Sequence, residues 1–216
     1  MKHLSIRNAD GLYWIGRYLQ RFSILTKESI KAFDLIVDGR HAEGEILFEK
    51  VGYAVEYQNA SEFFQMIGKD MGQGSLFSNL EAARDNAVEL RDIIDDDLFS
   101  SLNLPYVRLK TEAKPSVKFL VNILNEMYSF WGIIALKPFN DKVYQLMEYG
   151  RIVETIDMKL RLFEDISMVL FDFKSLNQLG KILYPEFKPI TVNHSNVEKL
   201  IQNVNQSIGQ IIHYES

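Results

Sequence analysis

The sequence predicts an all-α fold, a multi-helix bundle in which long helices carry an internally duplicated motif. Only 5 prolines and 12 glycines interrupt the 216 residues, which leaves room for long uninterrupted elements. Apolar residues recur at steps of three and four, the period of an amphipathic helix. No stretch alternates β-branched and polar residues between hairpin turns, so we expect few strands. The length predicts a single α-helical domain over residues 1–216.

The N-terminal half is expected to begin with a long helix over residues 9–37. Apolar side chains repeat along this stretch every three to four positions, and Asp38 and Gly39 end it. Further segments follow in chain order: helices over residues 45–57 and 61–66, a loop at 69–74, and a second long helix over 75–95.

Acidic residues and prolines predict the next boundaries. Asp96 or Asp97 is expected to cap a short helical turn, and Pro105 is expected to lie in a break. Pro115 suits the first turn of a helix over residues 116–134, because its missing N–H costs nothing at that position.

The C-terminal half should hold a third long helix over residues 141–173, after a connection that contains Pro138. Residues 184–189 include two prolines and are expected to form an irregular crossing segment. Ser195 is expected to cap a last helix, whose apolar residues between 197 and 211 share one face.

A short motif occurs twice in the chain. Gly16 and Arg17 recur as Gly150 and Arg151, 134 residues later. In each copy a carboxamide or a carboxylate follows the arginine after three positions, and each copy lies in a predicted long helix. This pattern indicates a duplicated helical unit, and we expect the two stretches to meet in space as equivalent helices.

Charge and composition exclude several classes of function. The formal net charge of −5 argues against a general nucleic-acid binder, which needs a basic face. The absence of cysteine excludes disulfides, thiolate metal ligands and a cysteine nucleophile. No window reaches the roughly 20 apolar residues that cross a bilayer, and no secretory signal opens the sequence. We therefore expect a cytoplasmic protein without nucleic-acid or membrane partners.

Metal and cofactor chemistry lack support in the sequence. Ferritin-like sites need Glu-x-x-His motifs, and the chain contains none. The histidines lie near the termini or in predicted loops, at spacings that suit no chelate: His3, His41, His194 and His213. We expect no metal site and no cofactor.

Three motifs stand in a specific order along the chain. Residues 8–21 carry an aromatic and Gly-Arg run, residues 80–87 an Ala-Arg-Asp-Asn-Ala run, and residues 150–158 the second Gly-Arg run. Together they resemble the bacterial alpha-E domain family, which is all-helical and of unknown activity. The resemblance implies companionship with ATP-grasp peptide ligases and transglutaminase-like proteins. The first copy departs from the family, with Gln20 and Ser23 where glutamates are usual.

These motifs supply the candidate site residues. We take twelve side chains as candidates for a ligand site or a polar network: Tyr13, Trp14, Arg17, Gln20, Arg84, Asp85, Asn86, Arg91, Arg151, Glu154, Asp157 and Arg161.

The carboxylates of the second copy have two interpretations. Glu154 and Asp157 lie opposite the apolar side chains of their helix, an arrangement that is most often a solvated charged face. The competing hypothesis is that Arg84 or Arg91 of the middle helix pairs with one of them in a partly buried polar network.

Besides a small-molecule or peptide binder without turnover, two functions remain open at this point. The favoured one is a non-catalytic binding or scaffold module for another protein, for which the resemblance suggests a peptide-ligase or transglutaminase-like partner. The alternative is an enzyme of amide or peptide chemistry that uses Glu154 and Asp157, both weak catalytic candidates, with arginines as anion anchors. A concave, solvent-reachable pocket would favour the enzyme, and a closed hydrogen-bonded network would favour a structural role. The anchors would be Arg17, Arg84, Arg91 and Arg151.

Overall fold

The computed structural model describes residues 4–68, 74–138, 141–192 and 196–212, and within these ranges it contains helices and no strands. The predicted all-α fold is therefore confirmed. The chain forms two compact units, with Met1–Gln20 and Lys137–Ser216 in unit 1 and Arg21–Leu136 in unit 2. The expectation of a single domain stays a prediction.

The first long helix, α1 (Ile6–Val37), confirms the segment predicted over residues 9–37. Its start supplies the buried side chains of Leu12 and Leu19 to unit 1, and its remainder supplies Phe22 to unit 2. Gly39 ends the helix with φ of 95°, and the N–H groups of residues 39 and 40 return to carbonyls of the last turn. This is a Schellman-type end, which favours glycine.

Unit 2 contains five further helices. They are α2 (Glu43–Lys50), α3 (Ala60–Ile67), α4 (Leu76–Glu89), α5 (Asp96–Thr111) and α6 (Val117–Ala135). Side-chain oxygens cap four of them by accepting a first-turn N–H, and the caps are Asn59, Ser75, Asp95 and Ser116. Helix α5 packs against both α4 and α6.

Two helices of unit 2 are shorter than predicted. Helix α2 ends at Lys50 and not at residue 57, because a turn follows in which Gly52 has φ of 88°. Helix α4 ends at Glu89 and not at residue 95, because the chain turns there and Asp95 becomes the cap of α5. The predicted loop at residues 69–74 lies mostly outside the described residues.

Both proline predictions in unit 2 were wrong. Pro105 does not break the chain but lies inside α5, buried on the same face as Leu102 and Leu109. A proline inside a helix costs roughly 3 kcal/mol, so burial of this face must offset the lost hydrogen bond. Pro115 precedes the cap Ser116 and is therefore outside the first turn of α6.

Unit 1 contains the rest of the helices. After α7 (Lys142–Phe163) come a 3₁₀ turn (Ile166–Val169), α8 (Leu170–Leu183), α9 (Val197–Gln206) and the short α10 (Gly209–Ile212). Helix α7 packs against both α8 and α9. Among the described helices, none has an apolar stretch long enough to cross a bilayer.

The helix predicted over residues 141–173 is two helices. Glu164 adopts φ of 54° and donates its N–H to the carbonyl of Leu160, so α7 ends in a left-handed residue. Asp165 then caps the 3₁₀ turn that leads into α8. The apolar pattern continues through this reversal, and for that reason periodicity alone did not reveal it.

The C-terminal part agrees with the prediction in outline. The segment 184–189 is irregular, as predicted. Asn196 caps α9 through its side-chain oxygen, while Ser195, the predicted cap, lies outside the described residues. A turn at Ser207 interrupts the predicted last helix and separates α9 from α10.

Candidate functional site

The two copies of the repeated motif meet where α1 crosses α7. A Cβ placed on Gly16 would overlap the carbonyl oxygen of Met147 and lie 2.9 Å from its carbonyl carbon. A Cβ placed on Gly150 would overlap the carbonyl oxygen of Tyr13 and lie 3.0 Å from its carbonyl carbon. Met147 is the repeat equivalent of Tyr13, so the contact is reciprocal. Glycine is needed here because two backbones approach closely.

Arg17 extends from this crossing into the interior of unit 1, with only 5% of its surface exposed. Its Nε donates to Oε2 of Glu154 at 2.6 Å, and its Nη2 donates to Oδ2 of Asp157 at 3.0 Å. Its guanidinium also lies 5.1 Å from the ring centroid of Trp14, and its Nη1 donates to the hydroxyl of Tyr13 at 3.3 Å. The two copies of the motif therefore meet as predicted, and Arg17 of the first copy binds two acids of the second.

Asp157 connects this pair to the rest of unit 1. Its Oδ1 accepts from Nε of Arg161 at 2.7 Å, and its Oδ2 accepts from Nδ2 of Asn205 at 3.3 Å. Two arginines and two carboxylates balance each other's charge, which buried ions require. Glu154 is fully buried and Asp157 is 4% exposed, so the interpretation as a solvated face was wrong.

Burial and charge shift the pKa values of the groups around Arg17. Burial raises the pKa of Tyr13 to about 12, although the nearby Arg17 acts in the opposite direction. Burial alone lowers the pKa of Arg17, but Glu154, Tyr13 and Asp157 together more than compensate, so the pKa lies above its ordinary value. Arg17 is therefore a permanent cation, and Tyr13 is a neutral hydrogen-bonding group at physiological pH.

The second arginine of the repeat has a different environment. Arg151 pairs with Glu148 on its own helix, and its side chain is 36% exposed. In the first copy Trp14 stands three residues before the arginine, where the second copy has Glu148. Gln20, at the position equivalent to Glu154, donates to the hydroxyl of Thr155 at 2.9 Å. The backbone contact at the two glycines is reciprocal, whereas Arg17 binds acids of the other copy and Arg151 pairs with Glu148 of its own helix.

Arg84 of α4 and Arg91, which lies in the turn after α4, belong to unit 2 and have other partners. Arg84 lies 3.0 Å from a carboxylate oxygen of Asp85, and its guanidinium lies 5.4 Å from the ring centroid of Tyr106. Arg91 lies 3.0 Å from a carboxylate oxygen of Asp96. The hypothesis that Arg84 or Arg91 binds Glu154 or Asp157 was wrong.

The candidate residues therefore divide into two groups. Unit 1 brings together Tyr13, Trp14, Arg17, Glu154, Asp157 and Arg161 around one network, with Gln20 and Arg151 at its edge. Unit 2 holds Arg84 and Asp85 at the surface of α4, a half-buried Asn86 on the same helix, and Arg91 in the turn after it. Their functional roles stay predictions.

Sequence reasoning missed the contribution of α9. Asn205 reaches Asp157, and Ser207 accepts a hydrogen bond of 2.7 Å from the hydroxyl of Tyr149. Burial raises the pKa of Tyr149, although Ser207 counteracts this. The signal for Asn205 was a polar residue beside the apolar stripe of its helix, and a surface asparagine gives the same signal.

The arrangement is a buried network of ion pairs and hydrogen bonds. A carboxylate that acts as a general base or as a nucleophile must lie within reach of a substrate. Arg17 covers both acids of the pair. Within the described parts of the chain, no three histidine, aspartate or glutamate side chains converge on a possible metal position. The expectation of no metal and no cofactor stays a prediction.

The fold and the network define a class of protein, an all-α domain in which duplicated Gly-Arg helices cross at glycines around a buried ion pair. The chain belongs to the Alpha-E family, since the model of that family matches residues 4–183. The family is described as a predicted alpha-helical domain with a conserved ER motif. Comparison with curated proteins and comparison with solved structures found no match.

The family description also locates what is particular to this chain. The dipeptide Glu-Arg does not occur in it, and Gln20-Arg21 stands where the resemblance places a glutamate. The remaining acids, Glu154 and Asp157, belong to the second copy, where Thr155 follows Glu154. The two acids that bind Arg17 therefore both come from the second copy.

Proposed function

We propose that this chain is a non-catalytic, cytoplasmic helical module that binds another protein. The observation that carries the proposal is the state of Glu154 and Asp157, the acids that an amide or peptide chemistry would use. Both are buried, and Arg17 binds both at 2.6 and 3.0 Å. Buried ion pairs of this kind specify how helices pack more reliably than they stabilise them.

The same geometry weighs against the enzyme alternative. Arg17 is 5% exposed, so it is occupied as the counter-ion of the acids and is a poor anchor for a substrate anion. Arg84, Arg91 and Arg151 each pair with an acid on the surface of their own unit. Each of these three arginines therefore has a counter-ion other than Glu154 and Asp157.

The partner that the proposal names is a peptide-ligase-like or transglutaminase-like enzyme. The resemblance to the family supports this choice, because it implies companionship with such proteins. The role of the chain would be to hold or position that enzyme, and the rigid crossing of α1 and α7 would supply the fixed framework.

Affinity capture tests the proposal. The tagged full-length chain is expressed in its native cell, and co-purifying proteins are identified and then bound to the purified chain by calorimetry. We expect an ATP-grasp or transglutaminase-like protein to bind with a defined stoichiometry. A matched control is Gly132→Ala, which changes an exposed helical position with no neighbouring atoms within 4 Å.

An activity assay tests the enzyme alternative. The purified chain is incubated with amide and peptide substrates, beside the variant Glu154→Gln. Turnover by the wild type that the folded variant lacks would overturn the proposal in favour of the enzyme alternative. Capture of a partner by both proteins, without turnover, supports the module.

A further inference from the structure

Large apolar side chains are exposed together at the turn between α7 and α8. Phe171 is 78% exposed, and Phe163, Met168 and Leu170 are each between 42% and 47% exposed. They fall within nine consecutive positions of the sequence. We call these four residues the turn surface. Clustered apolar exposure of this kind is typical of interaction sites, whereas single exposed apolar residues are ordinary.

A lysine shows that the two sides of the turn lie next to each other. Nζ of Lys159 donates to the carboxylate of Asp172 at 2.8 Å and to the carbonyl of Met168 at 3.3 Å. Phe163 follows Lys159 by four residues in α7, so both side chains lie on the same helix face. Phe163 therefore lies on the side of α7 that meets the start of α8, next to the turn that carries the other three residues.

The backbone of the turn is strained at Glu164, the left-handed residue that ends α7. Glu164 has φ of 54°, a left-handed conformation in which glycine or asparagine would cost less. Such strain is concentrated at functional positions. The presence of glutamate at this position places an acidic side chain directly beside Phe163 in the sequence.

The rim of the turn surface is acidic. Glu164 and Asp165 are exposed, and neither forms an ion pair with another residue in the described ranges. Asp172 is already bound by Lys159. The exposed Lys174, one helical turn after Phe171, contributes one positive charge, so the rim keeps a net negative charge. A partner with positive charges around an apolar centre would match this rim.

We propose that the turn surface is the docking site of a partner protein, which presents an amphipathic helix with apolar residues on one face and lysine or arginine beside them. Phe171 is the central anchor, and Glu164 and Asp165 bind the basic flank. The proposal deepens the proposed function and rests on it in so far as the chain binds another protein. Four side chains cover less than the roughly 800 Å² per partner of a standard interface, so they are its anchoring centre.

Defined peptides test this surface. Two fluorescein-labelled 16-residue helical peptides share the same leucine face, and their polar positions are lysine in one and glutamate in the other. Fluorescence anisotropy measures their binding to the full chain, to Phe171→Asp, to Glu164→Lys and to the control Leu136→Asp. Leu136 is 87% exposed and lies in unit 2, so the control makes the same change of polarity away from the turn surface. Thermal unfolding confirms that each variant is folded.

The proposal predicts a specific pattern of affinities. The lysine peptide should bind the wild type at least about tenfold more tightly than the glutamate peptide. Phe171→Asp should weaken this binding about tenfold or more, Glu164→Lys should reduce the preference between the peptides, and Leu136→Asp should stay within about twofold of the wild type. Absence of binding, equal binding of both peptides, or a Phe171→Asp variant that binds like the wild type overturns the proposal.

Two further measurements separate other occupants of this surface. Sedimentation that shows a dimer which Phe171→Asp dissociates would assign the surface to a second copy of the chain and overturn the proposal. Co-sedimentation with anionic lipid vesicles that Phe171→Asp abolishes would do the same in favour of a membrane. If a protein captured from cells also binds Phe171→Asp with unchanged affinity, the proposed function stands and the docking surface is wrong. If no protein partner is found, the proposed function itself fails.

Discussion

Replacing Gly16 or Gly150 by alanine should separate the two motif helices. A Cβ at either position would lie 2.9–3.0 Å from a carbonyl carbon of the opposite helix and overlap its oxygen. Carbon atoms in contact prefer about 3.5–4.0 Å, so α1 and α7 must move apart by at least roughly half an ångström. The obstacle is backbone, which cannot rotate away as a side chain can. Separation also lengthens the bond between Arg17 and Glu154, now 2.6 Å.

The magnitude follows from two opposing contributions. Overpacking of this kind costs about 1–3 kcal/mol, and the weakened ion pair adds to it. Alanine in a helix instead recovers about 0.5–1 kcal/mol relative to glycine. We expect a net loss of about 2 kcal/mol for Gly16→Ala and for Gly150→Ala. The double variant should lose less than the sum, because one separation of the helices makes room for both methyl groups.

The chain contains its own control for this experiment. Gly132 lies inside α6, and a Cβ there would meet no atom within 4 Å. Gly132→Ala should therefore stabilise the protein by up to about 1 kcal/mol, since only the helix propensity changes. Urea unfolding followed by circular dichroism measures the free energy of unfolding of all four variants. In thermal unfolding, the two single crossing variants should melt about 4–8 °C below the wild type. The reasoning is refuted if Gly16→Ala is as stable as Gly132→Ala.

The remaining predictions concern the groups around the crossing. Arg17→Met should destabilise the chain by about 3–5 kcal/mol in urea unfolding, because it leaves two buried carboxylates without a cation. Adding Glu154→Gln and Asp157→Asn should restore more than half of this loss, and an unchanged loss would contradict the charge argument. The pKa of Tyr13 is raised to about 12 in the folded chain, compared with about 10 in the unfolded chain. The contribution of Tyr13 to the free energy of unfolding should therefore be fully present below pH 10, and about 2–3 kcal/mol should be lost as the pH rises towards 12. Tyr13→Phe should show a smaller decrease in the free energy of unfolding over that pH range. An equal decrease would contradict the assignment of this pH dependence to Tyr13. Gln20→Glu, at a half-buried position, should change the unfolding free energy by less than about 1 kcal/mol, in a salt-dependent way; a loss above about 2 kcal/mol would show that the position tolerates no charge.

The helices were easier to predict than their ends. The long helix α1 and the capped starts of α4 and α6 follow from local signals, namely apolar spacing and a serine whose oxygen accepts a first-turn N–H. The errors arose where tertiary contacts overrule such signals. Pro105 stays helical because its face of α5 is buried, and the apolar pattern of α7 continues beyond Glu164 although the chain reverses there.

The candidate site shows the same division. The repeat identified Arg17, Glu154 and Asp157 as related residues, because residue types and spacings are properties of the sequence. It did not identify which arginine binds which acid, and the prediction chose Arg84 or Arg91 wrongly. Pairing depends on which helix faces approach each other, and the spacing within one helix carries no information about the neighbour.

Local chemistry thus determined that this chain is helical, that two of its segments are equivalent and that their polar side chains belong together. The tertiary structure decided that these acids are buried rather than solvated, that Arg17 is their counter-ion, and that Asn205 completes the network. The reason is physical: helix propensity and capping act over one or two turns, whereas desolvation and ion pairing depend on atoms that lie 137 or more positions apart in the sequence and meet only in the fold.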